Sequence, residues 1–414
     1  MKFDQYYISE EIKKNLSGLG FIRPTDIQFK SIPSIMKGED VLAIAQTGTG
    51  KTAAFAIPII NKIHSNKTSK RSYGIKCIVM EPTRELAMQI GDVFTALSRH
   101  TKVKTFAVHG GVEQDAQIKK LQDGIDILVS TPGRMFDLIH QGILKIENVD
   151  TLVLDEADHM LDLGFIKDIK YVKKMLTRRH QTLFFSATIN PEIKKLAFSQ
   201  VKSTAIRIQV SPEDPVSKNV SHCVMFVEMD DKRFFLERCI KEHPDSKIIV
   251  FVRTRVRAER VAKAMDRVGI SVLTIHGEKE QDQRTDVMKE FKEGASRLLI
   301  ATDVSARGID IPDVNYVINY DLPDKAENYV HRVGRTGRGV QKGIAVSFCS
   351  TEEKERLMEI QAFIHKDIEV VPIADQDYTE TILLTEKFDD VEALIEANEL
   401  RYKSKKRKKP SPKK

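Results

Sequence analysis

The segment AQTGTGKT (45–52) gathers the residue types that hold a polyphosphate. Gly48 and Gly50 let the backbone turn so that several N–H groups face one anion, with Gln46, Thr47 and Thr49 completing the loop. Lys51 can reach the β- and γ-phosphates, and the Thr52 hydroxyl suits Mg²⁺. Ala45 stands where the usual pattern has glycine, so a plain glycine turn with a surface lysine is the bland alternative. Further on, TLVLDEADHM places Asp155 and Glu156 at the carboxyl end of an apolar run, where ligands bind in open parallel sheets. One acid can hold a metal, directly or through water, while the other takes the proton of an attacking water. SAT (186–188) ends the next apolar run and by itself reads equally well as a turn. The Asn-Lys-x-Asp guanine-reading motif is absent, which weakens a signalling-GTPase reading.

HRVGRTGR (331–338) sets three arginines among two glycines, a composition suited to a multiply charged oxygen cluster. A solvated basic loop is the plain alternative. No arginine cluster lies close in sequence to the phosphate loop, so Arg335 and Arg338 are expected to reach it as arginine fingers from a second domain. Such a site is complete only when two domains close, which couples hydrolysis to domain motion.

The elements that must position these residues are legible as alternation. DVLAIA (40–45), CIVME (77–81), TFAVH (105–109), DILVS (126–130), TLVLDE (151–156) and TLFFSAT (182–188) are near-continuous apolar runs, as expected of parallel strands covered on both faces. Helix-like stretches such as Glu85 to Leu97 and Gly164 to Leu176 separate them. A second series follows: HCVMFVE (222–228), KIIVFVRT (247–254), SVLTIHG (271–277), RLLIATD (297–303), NYVINYD (315–321) and GIAVSFC (343–349). The expected plan is two α/β domains, 1–207 and 220–372, joined by a flexible linker at 208–219 whose sequence breaks the pattern with two prolines. Residues 373–414 read as an extension ending in a disordered basic tail.

Composition narrows the class. The chain has 414 residues and a formal charge of +7, but nine Lys or Arg and no acid fall in 401–414. Subtracting those nine from +7 leaves residues 1–400 at −2, so any nucleic-acid site in the body must come from the placement of charge. The longest apolar run, Ala53 to Ile60, is far short of the roughly 20 residues that span a bilayer. No secretory signal pattern begins the chain, and its four cysteines are scattered without a CxxC pair. A cytoplasmic protein without membrane attachment is expected.

Taken together, the motifs resemble those of the DEAD-box RNA helicases, in the same order, from Phe3 to about residue 370. The matching segments are GFIRPTDIQ (20–28), AQTGTGKT, PTRELA (82–87), Gly110-Gly111, TPGR (131–134), DEAD (155–158), SAT, IIVFVRT, QDQR (281–284), ATDVSARGIDIP (301–312) and HRVGRTGR. The short body and basic tail are similar to bacterial RhlE-type members. The resemblance implies tandem RecA-like parallel-sheet domains, ATP with Mg²⁺ held by Thr52 and Asp155, and RNA-dependent hydrolysis. It implies that Gln28 reads the adenine edge, that Phe21 stacks on its face and that Asp310 holds the ribose. Ser186 and Thr188 become the interdomain coupling pair, with Asp158, His331 and Arg307 as partners.

RNA contacts implied by the resemblance are Thr83, Arg84, Gly111, Thr131 and Arg134 in the first domain, and Thr254, Gly277, Arg284 and Thr302 in the second. Glycines, hydroxyls and arginines suit backbone contacts with little sequence preference. For each arginine a structural salt bridge is the alternative. Arg253 departs from the family's usual Asn, and either adds an RNA contact or is simply exposed. The implied activity is local, non-processive unwinding of short duplexes or remodelling of RNA–protein complexes by a monomer, with ribosomal or RNA-decay proteins as conceivable partners. An ATP-gated RNA clamp, a DNA helicase and a tail-driven annealer are the rival readings.

Overall fold

A computed structural model describes residues 2–46, 48–72, 74–210, 216–303, 311, 313–337 and 341–383. Thr47, Arg307, Asp310, Arg338 and the basic tail lie outside the described residues. The first sheet comprises β1 (Val41–Ala45), β2 (Cys77–Met80), β3 (Thr105–Val108), β4 (Ile127–Ser130), β5 (Thr151–Leu154), β6 (Gln181–Ser186) and β7 (Ile206–Val210), in the order β3-β4-β2-β5-β6-β1-β7. The second comprises β8 (Val220–Phe226), β9 (Ile248–Val252), β10 (Leu273–Ile275), β11 (Leu298–Thr302), β12 (Tyr316–Asn319), β13 (Gly343–Cys349) and β14 (Glu369–Val370), in the order β10-β11-β9-β12-β13-β8-β14. All the pairings are parallel.

The continuous apolar runs follow from burial on both faces. In β1, Val41, Ala43 and Ala45 join one core cluster while Leu42 and Ile44 join the other. Strands β5 and β6 lie between β1 and β2, so the chain leaves β1 and crosses two strands before re-entering the sheet. The loops after β1, β5 and β6 therefore stand together at the carboxyl edge of the sheet, the usual ligand crevice of such sheets.

Two expected boundaries move. Residues 208–210, assigned to the linker, belong to β7, which pairs with β1 from Val41↔Ile206 to Ala45↔Val210. As an edge strand β7 buries Ile208 but exposes Arg207 and Gln209, so its apolar signal is weaker than that of the central strands. At the other end, helical residues 375–383 pack on the second domain and are not a separate extension. The Tyr378 ring lies 4.9 Å from that of Phe235, and its hydroxyl donates to Asp231 at 2.8 Å. Among the described residues, no helix is long and apolar enough to cross a membrane.

Candidate active site

The loop after β1 turns through Gly48 and Gly50, at φ 80° and 90°, into the helix Lys51–Asn66. Only glycine suits Gly50 on two counts: the left-handed backbone, and a Cβ there would lie 2.5 Å from Gln28 Nε2. The buried Gln28 amide ties two loops together. Its oxygen accepts from Thr25 N at 3.0 Å at the start of helix Asp26–Met36, and its nitrogen donates to the Gly50 carbonyl at 3.1 Å. Within the loop, Thr49 donates to the Gln46 carbonyl at 2.7 Å. Thr52 follows in the first turn of the helix. Half-buried Phe21 meets the buried Phe3 edge-on at 6.2 Å, so Phe3 is a core residue supporting it.

Lys51 is 6% exposed and its Nζ has no hydrogen-bond partner among the described residues. An orphaned buried ammonium is costly unless an anion supplies the missing contacts, which is what a phosphate would do. Around it stand the acids at the ends of β2 and β5. Burial pushes the Asp155 carboxyl up to about 6, aided by Glu156 and Asp158 and opposed by Lys51. Burial acts upward on Glu156 too, but the hydrogen bond from His159, with Lys51, the His159 charge and Arg335, holds it well below the usual carboxylate range. Glu156 adopts φ 45°, a left-handed conformation strained for any residue that bears a Cβ, at the start of helix Ala157–Asp162. Asp155 Oδ1 accepts from Glu156 N at 2.9 Å and helps to hold that turn.

The DEAD and SAT segments are welded together. Asp158 Oδ2 accepts from both the backbone N and the hydroxyl of Thr188, each at 2.9 Å, while Ser186 Oγ donates to the Thr188 carbonyl at 2.9 Å. The second domain arrives on the same carboxylate, with His331 Nε2 at 3.7 Å from Asp158 Oδ2. His331 lies on helix Ala326–Val333, and Arg335 follows it, buried, donating from Nε to the His331 carbonyl at 3.0 Å. Arg332 has a different task. It is clamped by Asp303 at 2.6 and 2.8 Å and by the Asp321 carbonyl at 2.7 Å, which anchors the arginine segment to its own domain.

The residues implicated in RNA contact gather around helix starts. Thr83, Thr131 and Thr254 each precede a helix, at Arg84–Leu97, Pro132–His140 and Arg255–Arg267. Helix N-termini with free N–H groups favour phosphate oxygens. Arg134 donates to the Val112 carbonyl at 2.9 Å, Gly277 has open space where a Cβ would be, and Thr302 ends β11. Gly111 has φ 81°, and a Cβ there would collide with Arg84 Nη1.

Arg84 and Arg284 are engaged across the domain boundary: Arg84 donates to Gln281 Oε1 at 3.3 Å, and Arg284 pairs with Glu85 at 2.9 Å. Gln281 Nε2 in turn donates to Glu85 at 3.1 Å. A further interdomain ion pair joins Lys325 and Asp162 at 2.6 Å. Arg253 is not simply exposed. Half-buried, it faces Asp324 at 3.8 Å and Glu353 at 3.7 Å, with its backbone N donating to Asp321.

Sequence reasoning passed over three of these residues. Glu85 and Gln281 sit inside the quoted PTRELA and QDQR segments and needed only a partner to be recognised. Glu81 ends CIVME just as Asp155 ends its own strand, the same signal at the same edge of the sheet. It is fully buried, both carboxylate oxygens lack a hydrogen-bond partner among the described residues, and burial, with Asp155 and Glu156 nearby, pushes its acid far up.

Residues 25–196 match the family model described as DEAD/DEAH box helicase, and 231–340 match that of the helicase conserved C-terminal domain. The chain is 38% identical over 361 residues to the DEAD-box ATP-dependent RNA helicase CshA of Bacillus cereus, covering 87% of this chain and 67% of that protein. It is 38% identical over 380 residues to the ATP-dependent RNA helicase RhlB of Shewanella oneidensis, covering 91% and 86%. The fold is similar to that of Saccharomyces cerevisiae Dbp5 bound to RNA and ADP BeF3, with a TM-score of 0.83 and 30% identity over 92% of this chain and 98% of that one. That likeness spans both sheets, and the tandem RecA-like architecture agrees with it. With a phosphate loop, paired acids and a second-domain arginine converging on one cleft, the chain belongs to the DEAD-box ATP-dependent RNA helicases.

Proposed function

We propose that hydrolysis of ATP at this cleft, stimulated by RNA and dependent on domain closure, drives local, non-processive strand separation or remodelling of RNA–protein complexes. The observation that carries the reading is the meeting of Lys51 and Glu156 from the first domain with Arg335 and His331 from the second. Lys51 and Arg335 counter the charge on the phosphates. A carboxylate held as low as Glu156 is a weak base, so it orients the attacking water as an acceptor and takes the proton late, as a loose phosphoryl-transfer transition state permits.

Thr52 and Asp155 would hold Mg²⁺. Burial, with Glu156 and Asp158 close by, raises the Asp155 acid, and a cation there would relieve both. Among the described residues no three ligating side chains converge into a cage, which also suits Mg²⁺, an ion that keeps waters and phosphate oxygens as ligands. When bound, the ion would neutralise phosphate oxygens. Gln28 is best read as a positioning residue: its amide is already committed to the phosphate loop and would transmit the state of a base at Phe21 to Gly50. Asp310, Arg307 and Arg338 keep their proposed roles from the motif match alone.

Thr83, Thr131 and Thr254 with their helix starts, together with Arg84, Arg134, Arg284, Gly111, Gly277 and Thr302, form the RNA track. The RhlE-type assignment rests on the compact body and basic tail alone, and a monomer acting in the cytoplasm is the simplest form consistent with the site. The test is steady-state hydrolysis without nucleic acid, with single-stranded RNA and with DNA of the same sequence, using Glu156→Gln as control. Stimulation by RNA alone, lost in the control, is expected. Equal stimulation by DNA overturns RNA specificity, and no stimulation overturns the coupling.

A further inference from the structure

The second domain carries an open groove of about 650 Å³ between helix Lys232–Glu242 and helix Arg255–Arg267. Arg233, Arg257, Arg260, Lys263 and Arg267 line it, against a single acid, Asp230. This density of positive charge is unusual in a body whose first 400 residues sum to −2. Arg257 is committed to Asp321 at 3.0 Å. Arg260, Lys263 and Arg267 are exposed and form no ion pair among the described residues. They repeat at three- and four-residue spacings along one helix face, an arrangement in which like charges destabilise the helix. Of the two acids of the same helix, Glu259 faces the other way, bonded to Thr274 and His276, while exposed Asp266 forms no ion pair with these three among the described residues. Neither acid of the helix lines the groove, so its wall stays cationic.

Thr254 forms the upper end of the groove, at the helix start placed on the RNA track above. From Thr254 to Arg267 the helix runs about 20 Å at 1.5 Å per residue, long enough to follow several consecutive phosphates. We propose that this groove is a second RNA-binding surface, holding the phosphate backbone of the strand that leaves the core track at Thr254. The inference rests on the RNA-track reading and extends it. Because the groove is built wholly within the second domain, it is the same in open and closed arrangements. It therefore tethers RNA independently of nucleotide, keeping the substrate in place while the cleft reopens. Exposed lining that is cationic and, Val256 apart, poor in large apolar groups favours a phosphate backbone over an acidic protein, which would need an apolar anchor.

The experiment compares the full-length protein with a variant carrying Arg260→Gln, Lys263→Gln and Arg267→Gln. Hydrolysis and fluorescence anisotropy are measured with an RNA just long enough to saturate hydrolysis and with the same RNA extended at either end. The expected result is unchanged kcat and half-saturating concentration on the short RNA. On one extended RNA, affinity without nucleotide falls about tenfold, and the salt dependence is shallower by about 2 log units per log unit, for three lost phosphate contacts. Unchanged affinity for both extended RNAs overturns the proposal and leaves the groove to an acidic protein; equal loss on short and extended RNAs also overturns it. Should the triple variant melt early, Lys263→Gln alone is read the same way, with about a twofold loss expected. Failure of RNA to stimulate the unaltered protein would instead strike at the proposed function.

Discussion

Glu156 and Asp155 adjoin one another, yet their environments separate their acidities in opposite directions, and each direction has a measurable outcome. Replacing Glu156 by Gln keeps the shape and removes the negative charge that orients water. Hydrolysis should fall at least 100-fold while RNA and nucleotide still bind together, read by single-turnover kinetics beside anisotropy. Asp155 must be ionised to serve a metal, and its carboxyl lies near 6 in the ligand-free protein. The sign follows: above that pH, affinity for Mg²⁺·ADP should be flat, and below it each pH unit should weaken binding about tenfold, because a proton competes with the cation. Calorimetry across pH 5–8 would show this, and Asp155→Asn should remove the dependence along with most of the metal's contribution. In domain two, Lys232 and Glu353 form a fully buried ion pair beside Asp321. Burial pulls the lysine's pKa down, so its charge survives only through those partners. Glu353→Gln should therefore cost about 3–5 kcal/mol in chemical denaturation, by stranding a buried cation.

At the scale of elements, helix starts and strand ends do the positioning. The strand ends present Asp155, Ser186 and the phosphate loop along one edge, and the helix starts place threonines and N–H groups along the proposed RNA track. Gly50 is the point where two elements approach most closely. Gly50→Ala would force a side chain into the Gln28 amide in a left-handed backbone. Nucleotide affinity should drop more than tenfold with little change in the melting of the second domain, measured with a fluorescent ADP analogue. The threonine at the head of Arg255–Arg267 also caps its helix, accepting from Arg257 N at 3.2 Å. Thr254→Ala should thus lose about 1 kcal/mol of stability as well as RNA affinity, whereas Thr254→Ser should restore the first.

On the scale of the whole molecule, the polar contacts between the domains among the described residues include His331 with Asp158, Arg84 with Gln281, Arg284 and Gln281 with Glu85, and Lys325 with Asp162. Polar interfaces of this kind are individually weak, which suits domains that must part after each turnover. The Lys325–Asp162 pair is partly exposed and short, at 2.6 Å. Reversing it with Lys325→Asp should raise the RNA concentration needed for half-maximal hydrolysis about fivefold, and adding Asp162→Lys should recover most of that loss. Recovery in the double variant separates closure from damage to either domain.

The sequence by itself determined the α/β class, the two-domain plan and the places of the phosphate loop, the paired acids and the arginine segment along the chain. Those features are local: glycine turns, apolar runs covered on both faces and acids at strand ends declare themselves within a few residues. Only the tertiary structure decided what depends on distant partners. It drew residues 208–210 into the first sheet because an edge strand buries one face and carries half the apolar signal. It showed Gln28 bound to Gly50, Arg253 drawn to Asp324 and Glu353, and Arg84 and Arg284 joined through Gln281 and Glu85. Spacing in sequence carries no distance between a residue of one domain and a residue of the other. Whether an arginine there meets a phosphate or a carboxylate is settled by how the two sheets face each other.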